Sequence, residues 1–134
     1  MITIEQIESA VIEEFDYSCS RPGGRLLLLS KRSDRYSYRK DIYINVDVNN
    51  KYVEIRGYGC YLGDLTLDVL SLLNKMNSYY GFFKFYADEE KTLIVSTTIN
   101  IEENHTVYGV LELVARLDFV LDDCYPSVQK VIFG

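Results

Sequence analysis

Residues 65–99, LTLDVLSLLNKMNSYYGFFKFYADEEKTLIVSTTI, decide the fold class. Leu65, Val69, Leu72, Leu73 and Met76 recur at the spacing of one face of a 3.6-residue helix, and Asn74 and Asn77 supply short polar side chains where that helix can end. The helix should stop at Tyr79-Tyr80-Gly81. Phe82 to Tyr86 and Thr92 to Ile99 are two runs of aromatic and β-branched residues, which suit a pleated, half-buried surface. Ala87 to Lys91 between them is a polar connection of hairpin length. One amphipathic helix followed by a β-hairpin is the expected unit.

Toward the N terminus, Thr3 and Gln6 form a capping-box pattern ahead of Ile4, Ile7, Val11 and Phe15, which share one face of a helix over residues 4–15. Ser20-Arg21-Pro22-Gly23-Gly24 breaks the chain. Leu26 to Leu29 fits helix or strand by periodicity, and its shortness and glycine boundary favour a strand. A polar stretch, Ser30 to Lys40, follows. Ile42, Ile44, Val46 and Val48 alternate with Tyr43, Asn45 and Asp47, and beyond Asn49-Asn50 Val53 and Ile55 alternate with Tyr52, Glu54 and Arg56. That pattern predicts a hairpin with one buried face. Gly57 to Gly63 should be a loop, with Asp64 or Thr66 capping the next helix. After the second hairpin, Asn104 or Thr106 can cap a last helix that turns Val107, Val110, Leu111, Val114, Leu117 and Leu121 inward. Pro126 should interrupt it near Tyr125, leaving Val128 to Phe133 as a short terminal turn or helix. The order is α-β-β-β-α-β-β-α, an α+β domain with helices packed on an antiparallel sheet.

A chain of 134 residues with 48% hydrophobic content suits one domain over residues 1–134. The net charge is −6, and it is uneven: the first 67 residues carry nine basic and ten acidic side chains, the remainder five and ten. Binders of duplex nucleic acid are usually basic, because phosphate neutralisation supplies most of their affinity, so the balance argues against that class. Cys19, Cys60 and Cys124 have no short metal-type spacing, and an odd number cannot all pair within the chain, so reduced thiols in a cytoplasm are expected. Met1-Ile2-Thr3 leads into an acidic helical pattern without a basic leader, and no run approaches the length of a membrane span.

Catalytic residue types do not cluster. His105 is the single histidine, so no Ser-His-Asp, Cys-His or multi-histidine metal site can be assembled in one chain, and an exposed position at a helix start is expected for it. The acidic pairs Glu89-Glu90, Glu102-Glu103 and Asp122-Asp123 fall in turns or at helix ends, where charges are normally solvated. Asp34, Asp41, Asp47 and Glu54 lack the spacing of a calcium loop, and Gly23-Gly24, Gly57 and Gly59 lack the context of a phosphate-binding loop. No catalytic residue, metal or cofactor is expected.

Two features suit contacts with a macromolecule. Arg21, Arg25, Lys31, Arg32, Arg35, Arg39 and Lys40 face a single acid, Asp34, within residues 21–40, with Tyr36 and Tyr38 among them. Basic residues with interleaved aromatics are what a single-stranded nucleic acid or an acidic partner would use, Arg32, Arg35 and Arg39 being the contacts; the alternative is a solvated loop that balances the acidic half. The other feature is twelve tyrosines with no tryptophan. Period-two geometry puts Tyr43, Tyr52 and Tyr58 opposite the apolar strand face, which suits a partner-binding surface unless helices cover both sides. Leu67 and Leu70 lie off the main stripe of the second helix and would form a homodimer patch if exposed.

The stretch LLNKMNSYYGFFKFYADEEKTLIVSTTI, with the long last helix, resembles the YbjN family, whose fold is that of type III secretion chaperones. Asn74, Asn77, Phe83, Phe85, Tyr86, Asp88, Leu93 and Val95 carry the resemblance, which covers the C-terminal half well and the N-terminal half by order of elements. It implies the same order of elements, a homodimer, and binding of an extended partner segment through sheet surface and hydrophobic patches, with no reaction. The expected function is a cytoplasmic, non-enzymatic, chaperone-like or regulatory protein-binding module. The alternative is an inhibitor or immunity-type protein, including a phage-encoded one, that blocks a basic enzyme or nuclease.

Overall fold

The N terminus is pinned by a reciprocal cap: the Thr3 hydroxyl accepts from the Gln6 amide at 3.3 Å and the Gln6 side chain accepts from the Thr3 amide at 2.9 Å. This starts α1 (Ile4–Glu14), which buries Ile4, Ile7 and Val11. The computed structural model describes residues 1–102 and 105–134. Asn104, one expected cap of the last helix, and Glu103 lie outside the described residues.

Among the described residues the strands are β1 (Ser18–Ser20), β2 (Leu27–Arg32), β3 (Arg39–Val46), β4 (Tyr52–Tyr61), β5 (Lys84–Ala87) and β6 (Thr92–Asn100). They form one antiparallel sheet in the order β1-β2-β3-β4-β6-β5. Alternation sets which side is buried: Leu27, Leu29, Ile42, Ile44, Val53 and Ile55 all point into the core. Asn50 adopts φ 56° in the β3–β4 turn, a left-handed conformation that asparagine tolerates better than most residues.

The sheet is larger than its sequence pattern suggests. Residues 18–20, which overlap the expected chain break only at Ser20, pair with β2 as an edge strand. The stretch 30–40 is not one polar connection, because β2 runs to Arg32 and β3 begins at Arg39, opposite it. Residues 57–61 are strand rather than loop: Gly57 and Tyr58 continue the ladder to β6, and a register shift before Tyr61 absorbs the irregularity. Gly57 is there because the last helix lies close, a Cβ at this position falling 3.0 Å from Leu121 Cδ1 and 3.1 Å from Leu117 Cδ1. Val48 lies beyond the end of β3 and is exposed, and Phe82 precedes β5 and is exposed.

The helix α2 (Leu67–Tyr79) is capped by Thr66, whose hydroxyl accepts from the Val69 amide at 3.2 Å. Leu65 therefore lies outside it, and the buried face is Val69, Leu73 and Met76. Asn77 ties the helix to the edge strand by donating to the Phe85 carbonyl at 2.9 Å and accepting from its amide at 2.6 Å. The last helix, α3 (Thr106–Phe133), is 28 residues long and passes through Pro126 without stopping. A proline removes one backbone donor and crowds the preceding turn. Here Val128 is buried beyond it, and Val131 and Ile132 pack on the core, so apolar burial continues past the break. Of the predicted last-helix stripe, Val110, Val114, Leu117 and Leu121 are buried.

All three described helices pack on one side of the sheet: α3 contacts β4 and β6, with α1 and α2 flanking it and α2 reaching β5. The buried residues of both layers join in one core cluster. Ile44 sits at its centre with no exposed surface. Ile44→Ala should cost about 2–5 kcal/mol, from lost transfer energy plus the cavity left behind, read as a lower urea midpoint at unchanged slope.

Candidate functional site

The helices leave the other side of the sheet open. It carries Tyr43, Asp41 and Arg39 from β3, Tyr52, Glu54, Arg56 and Tyr58 from β4, Ile94 from β6 and Lys84 and Tyr86 from β5. Tyr43 and Tyr58 touch at 5.0 Å between ring centroids and are half-buried; Tyr52 stands apart, 41% exposed, opposite Asn100. The three predicted tyrosines thus share a face, and two of them touch.

The basic segment does not act as one strip. Arg21 pairs with Glu5 at 3.2 Å and Glu8 at 3.5 Å, Lys31 with Asp34 at 3.7 Å, and Lys40 is inside the protein. What stays exposed at the β2–β3 hairpin is Arg32, Arg35 and Arg39.

Lys40 is 2% exposed because it shares the inward side of β3 with Ile42 and Ile44. Its ammonium meets Asp122 Oδ2 at 2.8 Å and Asp118 Oδ1 at 3.0 Å, two carboxylates one turn apart on α3. Asp122 Oδ1 also accepts from the hydroxyls of Ser33 and Tyr38, each at 2.8 Å, and Tyr17 donates to Asp118. The Tyr38 ring stacks on Tyr125 at 4.3 Å, so the connection between β2 and β3 is fastened to α3 by both charge and aromatic contact. The pair Asp122-Asp123 is therefore not a solvated helix end. The helix runs on through Pro126, which leaves Asp122 mid-helix and buried, while Asp123 accepts from the Tyr80 hydroxyl.

Burial works to lower the Lys40 pKa, but hydrogen bonds to Asp122 and Asp118 outweigh it and hold the amine above the ordinary lysine value. Burial works to raise Asp122, and the bonds from Lys40, Ser33 and Tyr38 outweigh that and hold it below the ordinary aspartate value. For Tyr17 and Tyr38, burial and then the neighbouring carboxylate both push upward. A lysine held protonated has no free lone pair, and both carboxylates beside it also accept from tyrosine hydroxyls, so this cluster braces the fold. Cys124 is buried, its thiol pushed up to about 12 mainly by burial, while Cys19 and Cys60 are half-buried and raised for the same first cause. His105 lies exposed just before α3.

A second surface was not legible in the sequence. Along the seam between α2 and α3 three hollows of about 610, 360 and 430 Å³ follow one another, the first two sharing Tyr79 and Tyr80 and the last two Leu72 and Lys75. In the largest of the three hollows Tyr79, Phe82 and Phe119 surround Ala115 and Val120, and these three aromatics are 76%, 71% and 58% exposed. Arg116 lies over the Phe82 ring at 5.3 Å and pairs with Glu112 at 2.7 Å. The missed signal is a second stripe on α3, Ala115 and Phe119, one turn apart and off the inward face. Leu67 and Leu70 are 79% and 48% exposed on α2 and line none of these hollows.

No family model matches the chain, and no curated protein matches its sequence.

Removing the Lys40 charge should be among the most damaging single changes. Lys40→Met leaves buried Asp122 and half-buried Asp118 without their cation and should cost about 3–5 kcal/mol. The cost should shrink in acid. A depressed aspartate stabilises above its ordinary value of 3.8 and loses that contribution as pH falls through its lower folded value. Wild type therefore weakens below about pH 4 while the variant sheds a repulsion, so denaturant midpoints of the two should converge between pH 7 and pH 3. A gap that does not change with pH would contradict the geometry.

Proposed function

We propose that this chain is a non-catalytic polypeptide-binding module, chaperone-like or regulatory, that seats an apolar segment of its partner in the α2–α3 groove. The observation that carries this is the aromatic trio Tyr79, Phe82 and Phe119, left uncovered around an apolar hollow in a chain whose other large apolar side chains mostly line one core. Large exposed apolar patches mark sites of association.

The groove follows α3 from Glu112 to Gly134, about 33 Å at the helical rise of 1.5 Å per residue. That length suits several turns of an amphipathic helix or an extended segment. Arg116, Lys75 and Lys130 offset Glu112, Asp123 and Asp68 along the lining, so the groove is close to neutral and its affinity has to come from apolar contact. The resemblance of residues 72–99 to the YbjN family supports the same class, secretion-chaperone-like binding without a reaction. A second reading, blockade of a basic enzyme, draws on the net charge of −6 and on the exposed Glu89 and Glu90.

Panning a library of random linear peptides against the protein tests the proposal. Selected peptides should carry large apolar residues at helical or alternate spacing and bind Phe82→Ser/Phe119→Ser at least tenfold more weakly, about 1.4 kcal/mol. Tyr43→Ala/Tyr52→Ala should bind them like wild type, and both double variants should melt within a few degrees of it, because the changed side chains lie outside the core. Peptides that bind the groove variant undiminished, or that lose binding on the tyrosine variant, would move the site to the open sheet face. Selection of basic rather than apolar peptides would favour the inhibitor reading.

A further inference from the structure

Arg32 and Arg39 are directly opposite one another across the β2–β3 ladder, and Arg35 lies in the turn that joins them. Like charges in that position repel and destabilise a sheet. All three are exposed, and none is in an ion pair among the described residues. Arg39 spends its Nε on the Ser30 hydroxyl at 2.8 Å and Arg35 touches the Tyr36 hydroxyl at 3.3 Å, neither of which neutralises a charge.

The opposite charge lies at the same end of the same open face. Tyr58 of β4 is flanked by Asp41 of β3 and by Ile94 of β6, so the beginning of β3, the end of β4 and the beginning of β6 lie together. The β5–β6 turn at that end carries Asp88, Glu89 and Glu90. Asp88 is occupied within the turn, accepting from the amides of Glu90 at 3.0 Å and Thr92 at 2.9 Å, whereas Glu89 and Glu90 are exposed. Lys91 faces away to Asp64 at 3.5 Å, and Arg56 is taken by Glu54 at 3.4 Å. Between the turn and the sheet is a hollow of about 540 Å³, walled by Tyr58, Tyr86, Glu89 and Glu90 over buried Ile94, with Arg56, already paired with Glu54, at its edge. Tyrosine faces beside carboxylates are what a guanidinium prefers: stacking on the ring and a forked hydrogen bond to the acid.

One face thus carries a cationic site on β2–β3 and its complement on β5–β6, on either side of β4. A two-fold axis along β4 exchanges the two sides, and a two-fold interface requires that residue i meet residue j while j meets i. We propose that a second copy of this chain docks on the open sheet face, its Arg32, Arg35 and Arg39 entering the Tyr58–Tyr86–Glu89–Glu90 hollow and receiving the same in return. Tyr43 and Tyr58 then lie near the axis and are covered in the pair. This accounts for two opposed arginines and an acid-lined aromatic hollow on one surface, and it is independent of the α2–α3 groove.

Charge exchange tests it. In sedimentation velocity at low salt, wild type should run at twice 15.5 kDa and fall to 15.5 kDa in 1 M salt, where the screening length is about 3 Å. Arg32→Glu/Arg35→Glu and Glu89→Lys/Glu90→Lys should each melt like wild type, and each alone should associate at least tenfold more weakly. An equimolar mixture of the two should recover the double-mass species, because both contacts of the mixed pair are again between opposite charges. A wild type that stays at 15.5 kDa up to millimolar concentration, or a mixture that stays monomeric, would overturn the proposal. So would dissociation by Leu67→Ser/Leu70→Ser with the charge variants still paired, which would place the second copy on α2.

Discussion

The ammonium of Lys40, held between Asp118 and Asp122, is the constraint around which the structure is arranged. A charge buried this deeply is tolerated only when it is paired and its partners are themselves hydrogen-bonded. Both conditions are met by residues from three distant parts of the chain: Tyr17 before β1, Ser33 and Tyr38 from the β2–β3 connection, and the two aspartates on α3. The cluster therefore sets where α3 crosses the sheet. Apolar contact at Gly57, Leu117 and Leu121 drives the helix onto the strands, but hydrophobic burial is non-directional, and the ion cluster supplies the register.

That crossing divides the molecule by side. Once α3 occupies the middle of one face, with α1 and α2 beside it, the core is complete and the opposite face is left without a layer. The side chains there cover one another only in part: Tyr43 and Tyr58 pack together and Ile94 is shielded, while Tyr52, Lys84 and the hairpin arginines stay in solvent. The same crossing sets α3 beside α2 and the α2–β5 connection, and the groove lies along that seam. Both candidate surfaces are consequences of one helix placement, and both lie outside the core, where substitution alters contacts without unfolding the chain.

Periodicity carried most of the fold. The alternation of Ile42, Ile44, Val53 and Ile55 predicts a buried strand face and Val69, Leu73 and Met76 the buried side of α2, although the same patterns include Val48 and Leu65, which are exposed, and Leu72, which is half-buried. The expected element order holds, with β1 as an addition. Where patterning failed, a longer-range cause had won. Glycine and tyrosine at 57–61 resemble a loop, yet the glycine is imposed by α3 lying against β4. Pro126 breaks no helix because apolar residues beyond it still find the core. Residues 18–20 are too short and polar to announce a strand that exists only because β2 offers an edge. The binding surfaces were less legible. Tyr43, Tyr52 and Tyr58 could be placed on one face by counting, and Leu67 and Leu70 off the core stripe. The groove residues Tyr79, Phe82 and Phe119 come from the end of α2, the α2–β5 connection and α3, whose meeting is tertiary, and Lys40 belongs by sequence to a basic segment whose charges the fold distributes among separate partners.

Competitive labelling of lysines by an acetylating reagent under native conditions, read residue by residue in a mass spectrometer, tests the central claim most directly. Lys51, Lys75, Lys84 and Lys91 are exposed and should react readily. Lys40, 2% exposed and held protonated by two carboxylates, should stay unmodified until the protein is unfolded. A Lys40 that acetylates at the rate of Lys75 in the folded protein would contradict the account, because its amine would then lie outside the cluster that positions α3.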